Sequence, residues 1–298
     1  MATLLTTVIA VVVLTRPGRE GPAVFDVAGS PTGLAVGGGE VWIAAPGAGH
    51  VSALDARSGR PLGPPLRTGG TPARLALGAS GAWLADTARG AVIPARLRPQ
   101  RRVFAPIRLG ADVTDVALAA RAVWAVSTPE GVVRVLEPGR AGVRALPVGA
   151  RPVALDADER RVVVASAGDG TLARIDARTR RLAGPPIRVG GVPVDVALAG
   201  DVAWVADAGR GVVVRVDLRR GAVVAAVPVG GRPVAVAADG DDVYLLCARD
   251  RTLVRVDAAD GEVRSRRPAG TQPAALALAA GHVWVADAGE GTVTRFDR

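Results

Sequence analysis

Three charged residues occupy one position of a repeating sequence pattern, and they are the first candidates for chemistry. The position lies two residues after the residue, usually a Pro, that opens each repeat. Arg74, Asp115 and Asp195 fill it, whereas the other four copies carry small residues, namely Gly33, Ala154, Ala235 and Ala275. A guanidinium and carboxylates that face one cavity can bind a small polar or charged ligand through charge-assisted hydrogen bonds.

Three further polar residues directly precede the opening Pro of their repeats and extend this candidate site. They are Arg151, Arg232 and Gln272. Together the six residues predict a ligand-binding site at the mouth of a central channel. One alternative stays open, in which the charges are solvated or paired with one another and only fill the channel.

The sequence contains few histidines and one cysteine, and no recognisable catalytic motif. His50 and His282 are its two histidines, and their places in the repeat put them near opposite faces, so they cannot join one catalytic cluster. A general base near neutral pH would then have to be a carboxylate with a strongly raised pKa. No Gly-rich phosphate loop followed by a helix, no His-Glu-x-x-His and no Gly-x-Ser-x-Gly motif is present. We therefore predict no catalytic residue, no metal site and no cofactor.

The single cysteine and three aspartates share another position, the end of the second strand of a repeat. One cysteine allows neither an intramolecular disulfide nor a multi-cysteine metal site, and we expect Cys247 to be a buried, unreactive thiol. Asp86, Asp207 and Asp287 stand at the equivalent position. We expect them to accept hydrogen bonds from the backbone N–H groups of adjoining turns rather than to bind a metal.

A strand centred on Trp repeats at one period and indicates which elements position these residues. Its copies are centred on Trp42, Trp83, Trp124, Val163, Trp204, Tyr244 and Trp284, with spacings of 41, 41, 39, 41, 40 and 40 residues. The clearest copy contains four short segments of alternating apolar residues, VDVAL, VAWVAD, VVVRVD and VVAAVPVG. Short strands, Gly and Asp turns and this period predict an all-β protein, a β-propeller in which each repeat forms one blade of four antiparallel strands.

The repeats predict seven blades in a single domain that spans residues 23–298. Six copies, from about residues 31, 71, 111, 151, 192 and 232, are complete, whereas the seventh, from 271, reaches Arg298 after three strands. Residues 23–29 (AVFDVAG) resemble the end of a repeat and would supply the missing outer strand. Closing the ring in this way removes the unpaired strand edges that an open array would leave at both ends.

The net charge of +9 comes from arginine alone, because all 37 basic residues are Arg. The lack of Lys and Asn, together with abundant Ala, Gly and Val, is typical of a GC-rich genome, so much of the charge reflects composition. No basic stripe is interleaved with aromatic residues, which make up only 3% of the chain. We therefore predict no nucleic-acid partner.

The start of the chain predicts export. Residues 2–15 form an uncharged apolar run that is short for a membrane span but suits a signal-peptide core. We interpret residues 1–22 as a signal or anchor segment with a linker, and the protein as secreted or membrane-anchored outside the cytoplasm. The alternative is an apolar tail without a targeting role.

Arginines cluster at the turns between third and outermost strands, which we call the bottom face. The first strand enters at the same face, so these arginines would contact anionic lipid if residues 2–15 reach a membrane. The alternative is that they only make the turns soluble. The arginines are Arg57, Arg60, Arg98, Arg101, Arg102, Arg178, Arg180, Arg181, Arg219 and Arg220.

The repeat resembles the YVTN-type and streptogramin-lyase-like β-propeller repeats across residues 23–298. Gly230 to Val236 (GGRPVAV), Val202 to Asp207 and Gly211 to Asp217 carry the likeness, with equivalents at Gly289 to Asp297 and Gly168 to Asp176. The resemblance implies a propeller fold. It also implies one of two roles, an enzyme with a magnesium-dependent site of His and Glu on the top face, opposite the bottom face, or an extracellular sensor domain of a bacterial membrane-bound kinase. This sequence departs from the enzyme pattern because it lacks the histidines.

We predict a non-enzymatic, extracytoplasmic binding or sensor module that acts as a monomer. An unknown small molecule or protein would bind at its top face. The first alternative is a metal-dependent lyase or hydrolase of the streptogramin-lyase-like type. The second is a structural ectodomain separated from an upstream signalling protein.

Overall fold

A computed structural model describes residues 21–79, 81–97 and 100–298. The predicted signal or anchor at residues 2–15 and Arg98 of the bottom-face arginines lie outside these residues. Within the described ranges no helix is long and apolar enough to cross a membrane.

The described residues form seven antiparallel sheets, which we number as blades 1 to 7 in chain order. The chain begins with β1 (Ala23–Asp26), which belongs to blade 7. Blade 1 contains β2 (Gly33–Gly37), β3 (Glu40–Ala45), β4 (His50–Asp55) and β5 (Leu66–Arg67). Blade 2 contains β6 (Pro72–Leu77), β7 (Gly81–Asp86), β8 (Ala91–Arg96), β9 (Arg102–Val103) and β10 (Ile107–Arg108). Blade 3 contains β11 (Val113–Ala119), β12 (Ala122–Ser127), β13 (Val132–Leu136) and β14 (Val143–Pro147).

The second half of the ring repeats this order. Blade 4 contains β15 (Pro152–Ala157), β16 (Arg161–Ser166), β17 (Thr171–Asp176), β18 (Arg181–Leu182) and β19 (Ile187–Arg188). Blade 5 contains β20 (Pro193–Ala199), β21 (Val202–Asp207), β22 (Val212–Asp217) and β23 (Ala222–Pro228). Blade 6 contains β24 (Pro233–Asp239), β25 (Asp242–Cys247), β26 (Thr252–Asp257) and β27 (Val263–Pro268). Blade 7 contains β28 (Pro273–Ala279), β29 (His282–Asp287) and β30 (Thr292–Asp297). Two single turns of 3-10 helix, Pro46–Ala48 and Thr87–Arg89, follow β3 and β7.

The N-terminal strand closes the ring as predicted. β1 pairs antiparallel with β30, from Ala23 opposite Arg295 to Asp26 opposite Thr292. Blade 7 therefore has the strand order β1, β30, β29, β28, and β28 lies beside the innermost strand of blade 1. The structure confirms the all-β, seven-bladed propeller with four main strands in each blade.

The core lies between blades because most of the aromatic rings at the centres of the second strands are buried against the next sheet. Trp124 of blade 3 packs with Val162 and Ile175 of blade 4, and Trp284 of blade 7 packs with Ile43 of blade 1. A buried Trp removes about 200 Å² from water, which corresponds to a gross stabilisation of about 5 kcal/mol. The repeated rings therefore hold neighbouring blades together and keep the innermost strands around one axis.

A β-bulge precedes the channel position in six of the seven blades. Pairing between the first and second strands shifts by one residue directly before Arg74, Asp115, Ala154, Asp195, Ala235 and Ala275. A bulge bends its strand and re-aims the following side chain. Blade 1 lacks the shift, and its copy must be glycine because a Cβ on Gly33 would lie 2.4 Å from the carbonyl oxygen of Ala73 in the bulge of blade 2.

At the bottom face, aspartates order the turns that carry the arginines. The backbone N–H groups of Arg57 and Ser58 donate to one carboxylate oxygen of Asp55, at 3.1 and 2.7 Å. Asp176, Asp217 and Asp257 accept equivalent bonds in other blades. Arg101 has a different role, since its guanidinium lies over the Trp42 ring at 5.4 Å and donates to the Pro64 carbonyl at 2.8 Å.

Candidate ligand site in the central channel

The innermost strands of all seven blades line one central cavity of about 490 Å³. Most of its lining is Ala, Val and Leu. Four charged residues interrupt this apolar surface: Arg74, Asp115, Asp156 and Asp195. They belong to blades 2, 3, 4 and 5, so one wall of the channel is charged while the wall from blades 6, 7 and 1 is apolar.

Three of these residues are the ones that the repeat position predicts. Arg74 lies opposite Ala85, Asp115 opposite Val126 and Asp195 opposite Ala206 in their strand pairs. Each directly follows its bulge. The common register brings the three side chains to one level of the channel.

Asp156 is a channel residue that the sequence analysis missed. It lies two residues farther along its strand than the predicted position and pairs with Val163, the residue that replaces Trp in blade 4. The signal was present in the repeat, because the six equivalent residues are all alanine: Ala35, Ala76, Ala117, Ala197, Ala237 and Ala277. A comparison of this second position across the copies would have found it.

The three aspartates fasten neighbouring innermost strands to each other. Asp115 accepts hydrogen bonds from the backbone N–H groups of Val116, at 2.9 Å, and of Leu155 in blade 4, at 3.0 Å. Asp156 accepts from Ala157 and from Leu198 in blade 5, both at 2.8 Å.

Asp195 repeats this pattern with the next blade, where its carboxylate accepts from Val236 N–H at 2.8 Å. Each innermost strand is the edge of its sheet, so its channel-facing N–H groups need partners from outside the sheet. The carboxylates supply these partners between blades 3 and 6.

Enclosure by protein raises the pKa of every channel carboxyl. Burial raises the pKa of Asp195 to about 7, although the Arg74 guanidinium and the bond from Val236 oppose this shift. Burial likewise raises the pKa of Asp156 to about 6, and the pKa of Asp115 also lies above its usual range. Desolvation therefore outweighs the hydrogen bonds and the single cation.

Arg74 is the one channel cation among the described residues, and it forms no hydrogen bond or ion pair with any of them. Its charge lowers the pKa of both Asp115 and Asp195 from a distance. The guanidinium therefore offers its N–H donors to the cavity. A group that brought a carboxylate to Arg74 would satisfy them.

The other three predicted site residues lie on the top-face loops outside the cavity lining. Arg151 and Arg232 are exposed, and their positive φ angles of 51° and 57° place them in the turn that precedes the bulge. Gln272 is also exposed. Their backbone carbonyls accept bonds from Ala167, Ala248 and Ala288 in the facing loops of the same blades. These residues connect loops through their backbone. Their side chains are not among the described residues that line the central cavity.

The predicted turn-capping aspartates are confirmed. Asp207 is buried, and one of its oxygens accepts from the backbone N–H groups of Val192, Gly209 and Arg210, at 2.9 to 3.1 Å. Asp287 accepts from the backbone N–H groups of Gln272 and Glu290, one at each carboxylate oxygen, at 2.9 and 2.7 Å. Asp86 accepts from the backbone N–H of Thr71 at 3.4 Å and from the Thr71 hydroxyl at 2.8 Å.

Cys247 is buried, as expected from the sequence. Its thiol lies 3.5 Å from the Val229 carbonyl oxygen, and burial raises the pKa of the thiol to about 11. A thiol with this pKa stays protonated near neutral pH and is a poor nucleophile.

The two histidines begin strands at opposite ends of their blades. His50 starts a third strand at the top face, and burial lowers its pKa, whereas His282 starts a second strand at the bottom face. Within the described part of the chain, no group of three His, Cys, Asp or Glu side chains could hold a metal ion.

Comparisons with solved structures show the same fold in enzymes and in proteins of other kinds. A streptogramin B lyase superimposes with a TM-score of 0.79 at 14% identity, covering 92% of this chain and 96% of that one. A catalytically inactive virginiamycin B lyase from Staphylococcus aureus with quinupristin gives 0.78 at 14% identity, covering 92% and 98%. The WD40 β-propeller domain of Doa1 gives 0.75 at 14% identity, covering 91% and 94%.

At this identity the likeness establishes the fold alone. It confirms the structural part of the predicted resemblance, a seven-bladed propeller similar to streptogramin B lyase. No protein-family model matches the chain, and no curated protein matches it. The YVTN and kinase-sensor parts of the resemblance stay predictions.

Proposed function

We propose that this protein is a non-enzymatic binding module that captures a small ligand in its central channel. The observation that carries the proposal is the unpaired Arg74 guanidinium, which lines the same central cavity as the carboxyl groups of Asp115, Asp156 and Asp195. Charges that are partly removed from water without a close opposite charge are costly. A ligand of complementary charge would relieve that cost, and this favours a binding site over a structural plug.

The arrangement differs from that of charges that merely fill a channel. A structural plug would pair Arg74 with an aspartate, as Arg255 pairs with Asp242 at 2.7 Å elsewhere in this protein. In the channel the aspartates instead bond backbone N–H groups and leave the guanidinium available. The bonds to the backbone also hold the carboxylates in place before a ligand arrives, which reduces the entropy lost on binding.

Catalysis is the second candidate, and one observation favours it. The pKa of Asp195, at about 7, suits a general acid or base near neutral pH. A lyase or hydrolase is the alternative on this basis, and the metal-dependent type would have to bind its metal without a cluster of three His, Cys, Asp or Glu side chains among the described residues. It requires that a ligand of the channel be converted to product and that a divalent metal raise the rate.

A thermal-shift screen of the full chain tests the binding proposal. The compounds would be amino acids, amines, sugars, carboxylates, peptidoglycan fragments and divalent metals. We expect a charged compound to raise the melting temperature of the wild type but not of an Arg74→Gln, Asp115→Asn, Asp195→Asn variant. Arg188→Gln, which removes an arginine from an outer strand, is the matched control and should respond like the wild type. An equal shift in the wild type and the triple variant would contradict a channel site, and chemical change of the compound during incubation would favour catalysis.

We also propose that the module works outside the cytoplasm as a monomer, secreted or tethered through residues 2–15. The apolar composition of that segment supports export or tethering, and the arginines of the bottom face would then lie nearest the lipid. Fractionation of cells that express the full chain is expected to place it in the membrane or extracellular fraction. Recovery of the protein in the cytosol alone would contradict export.

A further inference from the structure

We infer that the ligand is a basic amino acid or a close analogue, an inference that rests on the proposed channel site. Such a molecule carries one carboxylate, one α-ammonium group and a second cation at the end of an apolar stem. The inference follows from the order of charges down the channel and from the apolar wall that faces them.

The level of the channel nearest the top face matches the backbone end of an amino acid. Arg74 presents a free guanidinium there, and a guanidinium binds a carboxylate through two parallel hydrogen bonds. Asp115 lies in the adjacent blade at the same level, and Asp195 lies two blades farther around the ring. Each accepts hydrogen bonds from the backbone while its remaining lone pairs are available to an ammonium group.

The deeper level matches the end of a basic side chain. Arg74, Asp115 and Asp195 share one position of the repeat, which Ala154 occupies in blade 4. Asp156 lies two residues after Ala154 on the same strand, which places it about 7 Å deeper in the channel. The four-carbon stem of lysine spans a similar distance. Asp156 would then bind the terminal ammonium.

The wall opposite these charges suits the stem itself. Ala35, Ala237 and Ala277 stand at the depth of Asp156 in blades 1, 6 and 7, and Val and Leu side chains flank them. These side chains would contact methylene groups. The charges agree in kind, because one guanidinium can bind the carboxylate of such a ligand and three carboxyl groups are available to its two ammonium groups. A neutral amino acid would leave Asp156 without a cation.

Isothermal titration of the full chain with a matched set of ligands tests this inference. L-Lysine has all three charged groups, L-norleucine lacks the terminal ammonium, and 1,5-diaminopentane lacks the carboxylate. We expect lysine to bind at least about tenfold more tightly than either of the others, since a hydrogen bond to a charged group contributes that much to an affinity.

Two variants assign the contacts. Arg74→Gln should weaken lysine binding by about tenfold or more without weakening the binding of 1,5-diaminopentane. Asp156→Asn should weaken lysine binding and leave norleucine binding unchanged. Asp241→Asn, on an exposed loop, is the matched control for the second variant. Arg74→Gln keeps the experiment decisive if Asp156→Asn fails to fold, because Arg74 makes no hydrogen bond to any described residue.

The outcomes separate this inference from the proposed function. Equal binding of norleucine and lysine, or unchanged lysine binding in both variants, overturns the assignment to basic amino acids. If none of the three ligands binds but the Arg74→Gln substitution abolishes binding of another screened compound, the ligand class is wrong and the channel site stands. If no compound depends on Arg74, both proposals fail.

Discussion

Asp195 shows how the channel changes the chemistry of a single residue. Its carboxyl group lies among the innermost strands, so the charged form loses hydration that the bond from Val236 and the distant Arg74 do not fully replace. The result is a pKa of about 7 in place of the usual value near 3.8. The folded protein therefore binds this proton more tightly than the unfolded chain does.

The raised pKa of Asp195 predicts a pH dependence of stability. A carboxyl group whose folded-state pKa is raised favours folding most below its unfolded value, near pH 4, and this contribution is lost as the pH rises to about 7. Between pH 4 and 8 we expect the wild type to lose on the order of 2 kcal/mol more unfolding free energy than Asp195→Asn, since water in the channel reduces the full effect of about 1.4 kcal/mol per pH unit. An Asn side chain still accepts the bond from Val236. Urea unfolding at each pH measures the difference.

Asp241→Asn serves as the control for this comparison and should keep the pH profile of the wild type. Coincident profiles for the wild type and Asp195→Asn would mean that Asp195 titrates as an exposed aspartate does.

The sequence predicted only part of this residue-level arrangement. Aligning the repeats found Arg74, Asp115 and Asp195, because charges at a position otherwise filled by Gly or Ala are conspicuous. Asp156 was missed because, within the innermost strand, charges were sought only at the position two residues after the opening residue of each repeat. Arg151 and Arg232 were grouped with the channel because they are adjacent to it in sequence, whereas the bulge and the positive φ turn separate their side chains from it.

At the level of elements, β1 is the strand on which closure of the ring depends. It supplies the outer edge of blade 7, and Phe25 packs between this blade and the next with its ring 5.5 Å from that of Trp284. Phe25 is 2% exposed. The alternation of AVFDVAG and its likeness to other repeat ends predicted this strand. The bulges had no such signal, because a bulge changes register without changing residue type.

Deleting residues 23–29 should therefore destabilise the whole domain far more than deleting residues 2–15. The first deletion removes a paired strand and a buried aromatic side chain whose loss alone costs about 3 to 5 kcal/mol. For a chain of this size we expect the melting temperature to fall by on the order of 10 °C, against about 2 °C or less for the second deletion. Calorimetry measures both. If the first deletion prevents folding, Phe25→Ala provides the milder test, and equal melting temperatures for the two deletions would refute closure by β1.

At the scale of the whole molecule, the fold and the site depend on different information. Seven similar repeats determine the ring, because their shared period and alternation of apolar residues build one blade each. The site depends on the positions where the repeats differ, and those differences gather in blades 2 to 5 and leave the opposite wall apolar. For this reason the fold could be predicted from the period, whereas the ligand class required the placement of the side chains around one axis.

A crystal structure of the full chain with L-lysine, or with the tightest-binding compound of the screen, tests the central claim most directly. The account predicts electron density for the ligand inside the channel, with an anionic group against the Arg74 guanidinium and a cationic group against the aspartates. Ligand density confined elsewhere, such as the cleft beside Trp42 and Gly78 at the bottom of blades 1 and 2, with the channel unchanged, would contradict it.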